Sequence, residues 1–185
     1  IGGGTTDLVG FKGGRVCFTG VIPVGGFQFT NDIALTFNTT YGAAEDAKLK
    51  YATAETRSVS GEPEITLPIT GSASKLKLQP SDISQLARER ANELSQLIRI
   101  QLDEFDVDEK VRSQVVLTGG SSNIPGLVGL MRQNLSVPVR QGIPFMEGTL
   151  PPEIENPMYA TGVGILIWGF NDNISPEIQV DASGI

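Results

Sequence analysis

The chain has 185 residues, a formal net charge of -7 at pH 7, a hydrophobic fraction of 39% and no histidine. Such an acidic chain lacks the basic face that nucleic-acid phosphates require, and without histidine there are no His-based triads and no His metal sites. Cys17 is the only cysteine, so no internal disulfide can form, and the longest apolar run, near Val163 to Trp168, is too short to span a bilayer. With no signal peptide either, a reducing cytoplasm is the expected compartment.

The chain opens on Ile1-Gly2-Gly3-Gly4-Thr5-Thr6-Asp7. Asp7 to Phe11 and Arg15 to Val24 follow as β-rich runs, joined at Lys12-Gly13-Gly14 by a hairpin turn. Cys17 sits in the second run and reads as a small buried apolar residue. Phe29, Ile33 and Phe37 recur at helical spacing and predict a helix over Phe27 to Phe37. Thr39-Thr40 offers a cap for a second helix, Ala43 to Tyr51.

Residues 52 to 78 are punctuated by Ser, Thr, Gly and Pro and predict a small sheet around Glu64 to Leu67. Pro80 suits the first position of a long helix, with Asp82 in its first turn. Ile83, Leu86, Leu94, Leu97, Ile98 and Phe105 mark its apolar face, and Arg90 falls on that stripe. Val115 to Leu117 is a short strand, Thr118 to Ser122 a glycine turn, and Pro125 to Leu135 a helix. That order places a ligand over a strand's carboxyl end. Val137 to Arg140 is a further strand, 141 to 157 a proline-rich connector, and Tyr159 to Trp168 a closing helix of small and apolar residues. From Phe170 onward the chain turns polar, and Asp181 to Ile185 is expected to fray.

Chemistry concentrates in the opening motif. Three glycines let the backbone approach an anion, two threonine hydroxyls add donors, and Asp7 supplies a carboxylate for a metal-bound water. Thr5, Thr6 and Asp7 in direct succession separate it from an ordinary glycine turn. No Gly-Lys-Thr follows, so it is not a Walker A loop, and a strand follows where the dinucleotide fingerprint has a helix. Taken alone, Gly119 and Gly120 read equally as a tight β–α turn or a ligand contact, and Glu45 with Lys48 as a solvated i, i+3 pair. A working site rarely starts at a chain end, which predicts a piece cut from a longer protein.

Together these segments resemble the actin, hexokinase and heat-shock ATPase superfamily. Ile1 to Asp7 is similar to its second phosphate loop, and Leu117 to Ser122 with Ile124-Pro125-Gly126 to its adenosine motif. Within it, the bacterial cell-division FtsA family is most alike. The likeness rests on Val21-Ile22-Pro23-Val24-Gly25-Gly26, Thr30-Asn31-Asp32-Ile33-Ala34, Ala44-Glu45-Asp46-Ala47-Lys48, Val139-Arg140 with Gly142 and Pro144, and Pro157 to Gly164.

The resemblance implies the second half of an actin-like ATPase fold. Residues 1–28 and 106–170 would form a mixed-sheet α/β subdomain, 29–105 an inserted smaller α+β subdomain, and 171–185 a polar tail. It implies ATP and Mg²⁺ as cofactors. Gly2, Gly3, Gly4, Thr5 and Thr6 would face the β- and γ-phosphates, and Asp7 would lie near Mg²⁺ through water. Glu45 and Lys48 would flank the ribose and adenine edge, and Gly119, Gly120 and Ser121 would let the purine lie against backbone. Arg90 would meet the acidic C-terminal tail of FtsZ, unless its stem only lies along the apolar face with the fork in water.

The protein implied works in the cytoplasm at the inner face of the membrane, where it self-associates into filaments and tethers the FtsZ ring. No amphipathic pattern marks the residues after Phe170, so the family's membrane helix is not expected among them. A single phosphate loop predicts little hydrolysis by this chain alone. Two other readings stay open: half of a sugar or metabolite kinase, and a PilM-like pilus-assembly adaptor.

Overall fold

The computed structural model describes residues 1–55, 63–105, 114–146 and 150–171. The expected fraying at Asp181 to Ile185 falls outside them. Strands β1 (Thr6–Lys12) and β2 (Arg15–Ile22) form an antiparallel hairpin. Its two-residue turn is Gly13-Gly14, with φ of +58° and +76°, the left-handed pair that matches the twist of the flanking strands. Alternation puts Thr6, Gly10 and Ile22 inward and Asp7, Val9, Phe11 and Val21 outward. Phe18 stacks on Phe105 with ring centroids 5.3 Å apart. Cys17, its neighbour, is on the open side and exposed, which corrects the buried role expected for it.

Helix α1 (Gly26–Thr36) starts one residue earlier than the periodicity predicts. The Gln28 side chain accepts from the Gly25 N–H at 2.7 Å and donates to the Pro23 carbonyl at 3.0 Å, fixing the helix start. Helix α2 (Tyr41–Tyr51) is capped by Thr40, whose hydroxyl accepts from the Ala43 N–H. Strands β3 (Ile65–Pro68) and β4 (Lys75–Leu78) make the small antiparallel sheet. Helix α3 (Pro80–Glu104) has Pro80 in its first turn, and Asp82 accepts from the Gln79 N–H at 2.8 Å.

The buried stripe of α3 differs in its centre from the expected one. Ile83, Leu94 and Ile98 are buried as predicted, but Ala87, Ala91 and Ser95 are buried between them. Small residues there let α1, α2 and α4 (Leu127–Leu135) come close to the α3 backbone. Leu86 and Leu97 are half-buried, and Phe105 is exposed on one side.

Strand β5 (Val115–Leu117) pairs in parallel with β6 (Val139–Gln141), and α4 makes the crossover between them. A 3-10 turn, Gly120–Asn123, precedes α4. Two more, Pro152–Ile154 and Pro157–Tyr159, lead into α5 (Ala160–Asn171), of which only Val163 is buried. Among the described residues no helix is long and apolar enough to cross a membrane. Phe29, Ile33, Ile83, Leu94, Leu127 and Met131 fill the centre of the core.

Candidate functional site

The opening loop folds back on itself, with the Gly2 N–H donating to the Thr5 carbonyl at 2.8 Å. The Gly2 and Gly3 carbonyls then accept from Gly26 and Phe27, the first N–H groups of α1, at 2.9 and 2.6 Å. In a trans peptide the C=O and N–H point opposite ways. Tying two carbonyls to α1 therefore turns the N–H groups of Gly3 and Gly4 away from it. Gly3 and Gly4 are exposed, and nothing lies within 4 Å of where a side chain would start. Gly25 makes the contact possible: a Cβ there would stand 2.8 Å from Gly2 O and Thr5 N.

A second loop closes on the first. The Ser121 N–H donates to the Ile1 carbonyl at 3.2 Å, and Ser121 Oγ donates to the Gly2 carbonyl at 3.0 Å. Gly2 to Gly4, Gly26, Glu45, Lys48, Gly120 and Ser121 line one cleft of about 690 Å³. Its wall continues through Ile124, Pro125 and Met158, and its rim carries Phe27 stacked on Tyr41 at 5.4 Å. This aromatic pair escaped the sequence reading because Phe27 and Tyr41 carry no periodic or motif signal.

Glu45 and Lys48 are not a solvated pair. Lys48 Nζ lies 2.8 Å from Glu45 Oε2 and also donates to Thr30 Oγ1 at 2.9 Å and the Gly26 carbonyl at 3.2 Å. Thr30 is fully buried and hydrogen-bonded to Glu45. Burial acts to raise the Glu45 pKa, but the hydrogen bonds from Lys48 and Thr30 and the Lys48 charge outweigh it, and the net shift is downward. Thr30 was missed as a site residue; its signal is a hydroxyl one turn after Gly26, next to buried Phe29.

The other predicted residues stand apart from this cleft wall. Thr6 is buried under the loop and donates to the Val24 carbonyl at 2.7 Å, so its hydroxyl does not face a ligand. Thr5 and Asp7 are exposed, and the Thr5 hydroxyl donates to Asp7 Oδ2 at 3.2 Å. Gly119 sits behind the cleft at φ +88°, where a Cβ would lie 2.4 Å from the Ile1 carbonyl oxygen. Among the described residues no three carboxylate, cysteine or histidine groups cluster as a metal cage. A Mg²⁺ held mostly by waters and phosphates needs no such cage.

Arg90 is not among the residues that line the cleft and pairs instead with Asp32 of α1. Its Nε and Nη2 donate to the two oxygens of Asp32, each at 2.7 Å, and Nη1 bonds Glu93. The fork expected to be free is therefore filled. The Asp32 hydrogen bonds raise the Arg90 pKa further, burial opposes this, and the charges of Asp32 and Glu93 add to the rise.

A family model described as cell division protein FtsA matches residues 1–164. The chain is 36% identical over 184 residues to cell division protein FtsA of Pseudomonas aeruginosa, covering 100% of this chain and 44% of that protein. It is 30% identical over 190 residues to that of Escherichia coli strain K12, covering 98% and 45%. The chain thus spans about half the length of these curated relatives.

Among solved structures, it is similar to MreB5 of Spiroplasma citri bound to ADP, with TM-score 0.73 and 18% identity over 93% of this chain and 52% of that one. The PilM-PilN type IV pilus biogenesis complex gives TM-score 0.68 and 24% identity over 91% and 44%. These likenesses show an actin-like ATPase fold, in keeping with the expected fold class, while the sequence match runs to a different family from PilM. From the opening loop into α5 the match is continuous, and the chain belongs to the FtsA cell-division family.

Proposed function

We propose that this chain forms one wall of an ATP site in an actin-like cell-division protein. The observation that carries the reading is the tethering of the Gly2 and Gly3 carbonyls to α1. It points two consecutive amides away from the helix, in the loop that lines the same cleft as Glu45, Lys48 and Ser121. Those amides are anion donors. Glu45 faces the ribose, and the backbone of Gly120 and Ser121 lies along the purine. Asp7 would hold a water of Mg²⁺, which when bound neutralises phosphate charge.

In this reading residues 1–28 and 106–170 act as the nucleotide-binding subdomain and 29–105 as the inserted one. The whole protein assembles into filaments at the inner membrane face and tethers FtsZ through its tail. The family match supports this over a metabolite kinase or pilus adaptor. Because Asp32 and Glu93 already hold Arg90, a tail carboxylate would have to take the place of one of them.

Amide NMR of the chain titrated with MgATP tests the nucleotide site. The expected result is shifts at Gly3, Gly4 and Gly120 with an affinity near 1 mM, about -4 kcal/mol. Shifts confined to other surfaces, or none at several millimolar nucleotide, would overturn the reading.

A further inference from the structure

Among the described residues, Thr30 touches both charged side chains of the cleft and the helix turn that holds the opening loop. Lys48 Nζ has three N–H bonds, and three oxygens take them: Glu45 Oε2, Thr30 Oγ1 and Gly26 O. Its side chain is 12% exposed. Lys48 therefore has no donor left for a ligand. The Thr30 hydroxyl accepts from Lys48 and has one proton to give. Within reach are the Gly26 carbonyl at 3.1 Å and the closer Glu45 Oε2, and a carboxylate is the stronger acceptor. Both described contacts of Glu45 fall on Oε2. Oε1 belongs to a side chain 34% exposed that lines the cleft. A carboxylate only accepts, so what it meets must donate, as a sugar hydroxyl does and a base carbonyl does not.

We propose that Thr30 is the positioning residue of this site, holding Glu45 through Oε2 so that Oε1 is presented to a ribose hydroxyl, with Lys48 as a buried strut. The proposal rests on the nucleotide reading above. It also links two parts of that site. Gly26, whose carbonyl lies within reach of Thr30 and Lys48, gives its N–H to the phosphate-loop carbonyl of Gly2. One helical turn thereby sets the spacing between phosphate donors and sugar acceptor.

The test compares Thr30→Val, which keeps the shape and loses the hydroxyl, with Thr30→Ser, which keeps the hydroxyl. Thr30→Ala replaces the valine variant if that one fails to fold. Binding of MgATP, Mg-2′,3′-dideoxy-ATP and magnesium tripolyphosphate is measured by NMR titration on the full chain. Thr30→Val should lose about tenfold for ATP, the worth of one hydrogen bond to a charged group, and nothing for tripolyphosphate. Dideoxy-ATP should bind both proteins equally, and Thr30→Ser should restore ATP binding. Unchanged ATP affinity in Thr30→Val overturns the inference alone, as does an equal loss for tripolyphosphate. A wild-type chain that binds none of the three overturns the nucleotide reading and this inference with it.

Discussion

Ser121 Oγ donates to the carbonyl oxygen of Gly2 at 3.0 Å, joining two loops 119 positions apart. Gly119 is what lets them meet. Its φ of +88° favours glycine, and a Cβ would overlap the Ile1 carbonyl at 2.4 Å. Gly119→Ala should therefore cost about 2 kcal/mol and lower the melting temperature by roughly 4–8 °C. Gly3→Ala meets open space and should leave the melt unchanged while weakening nucleotide binding by crowding the loop's ligand side. Equal melts for the two variants would remove the close-approach argument.

The Asp32–Arg90 pair calls for a double-mutant cycle. Both side chains are 22% exposed, so water screens the pair only in part. Bidentate geometry should give a coupling of about 1–2 kcal/mol in urea unfolding of Asp32→Ala, Arg90→Ala and the double variant. Arg90→Glu would bring a carboxylate against Asp32 and Glu93 and should destabilise more than Arg90→Ala. A change of sign therefore cannot be read as loss of partner binding alone, and Arg90→Lys is the better probe of an FtsZ tail peptide by anisotropy. A coupling near zero would show that the contact carries no stability.

Local chemistry made much of the fold legible. Gly13-Gly14, Thr40, Pro80 with Asp82, and the run from Val115 to Leu135 each mark an element by a rule that acts within a few residues. The misses have another cause. Thr5 and Thr6 look alike in a motif, but strand alternation sends one outward and the other beneath the loop. Arg90 and Asp32 are 58 positions apart, and no spacing rule connects them. Ala87 and Ala91 pass unnoticed beside leucines, although helix contact selects for small size. Thr30 stands in the sequence only as part of the run from Thr30 to Ala34, and its role emerges when α2 brings Glu45 and Lys48 to it.

Asp7 should matter only when the metal is present. It is exposed, contacted by the Thr5 hydroxyl at 3.2 Å, and stands just past the opening glycine loop. Asp7→Ala should weaken MgATP binding several-fold and leave metal-free ATP binding unchanged, on the order of 1 kcal/mol for one water-mediated contact. Calorimetry with and without EDTA measures the difference. An equal loss in both would reduce Asp7 to a partner of Thr5.

The Glu45 network should reverse its response to acid when Lys48 is removed. In the wild-type chain burial raises the Glu45 pKa, but bonds from Lys48 and Thr30 and the Lys48 charge carry it below its ordinary value of 4.5. A carboxylate with a depressed folded pKa contributes stability in full above its unfolded pKa. That contribution is lost as pH falls below the ordinary carboxylate value through the folded one, so the network is intact at pH 7 and fails on the acid side of that value. Lys48→Met removes the lysine's bond and charge but keeps the burial. Glu45 should then titrate above its ordinary value, and acidification through that range should stabilise the variant while leaving the wild type's Glu45 contribution unchanged. Carboxyl-carbon NMR titration of Glu45, with urea melts at neutral and acid pH, reads both effects. Titration at the same pH in the two proteins would show that Lys48 does not hold the charge on Glu45.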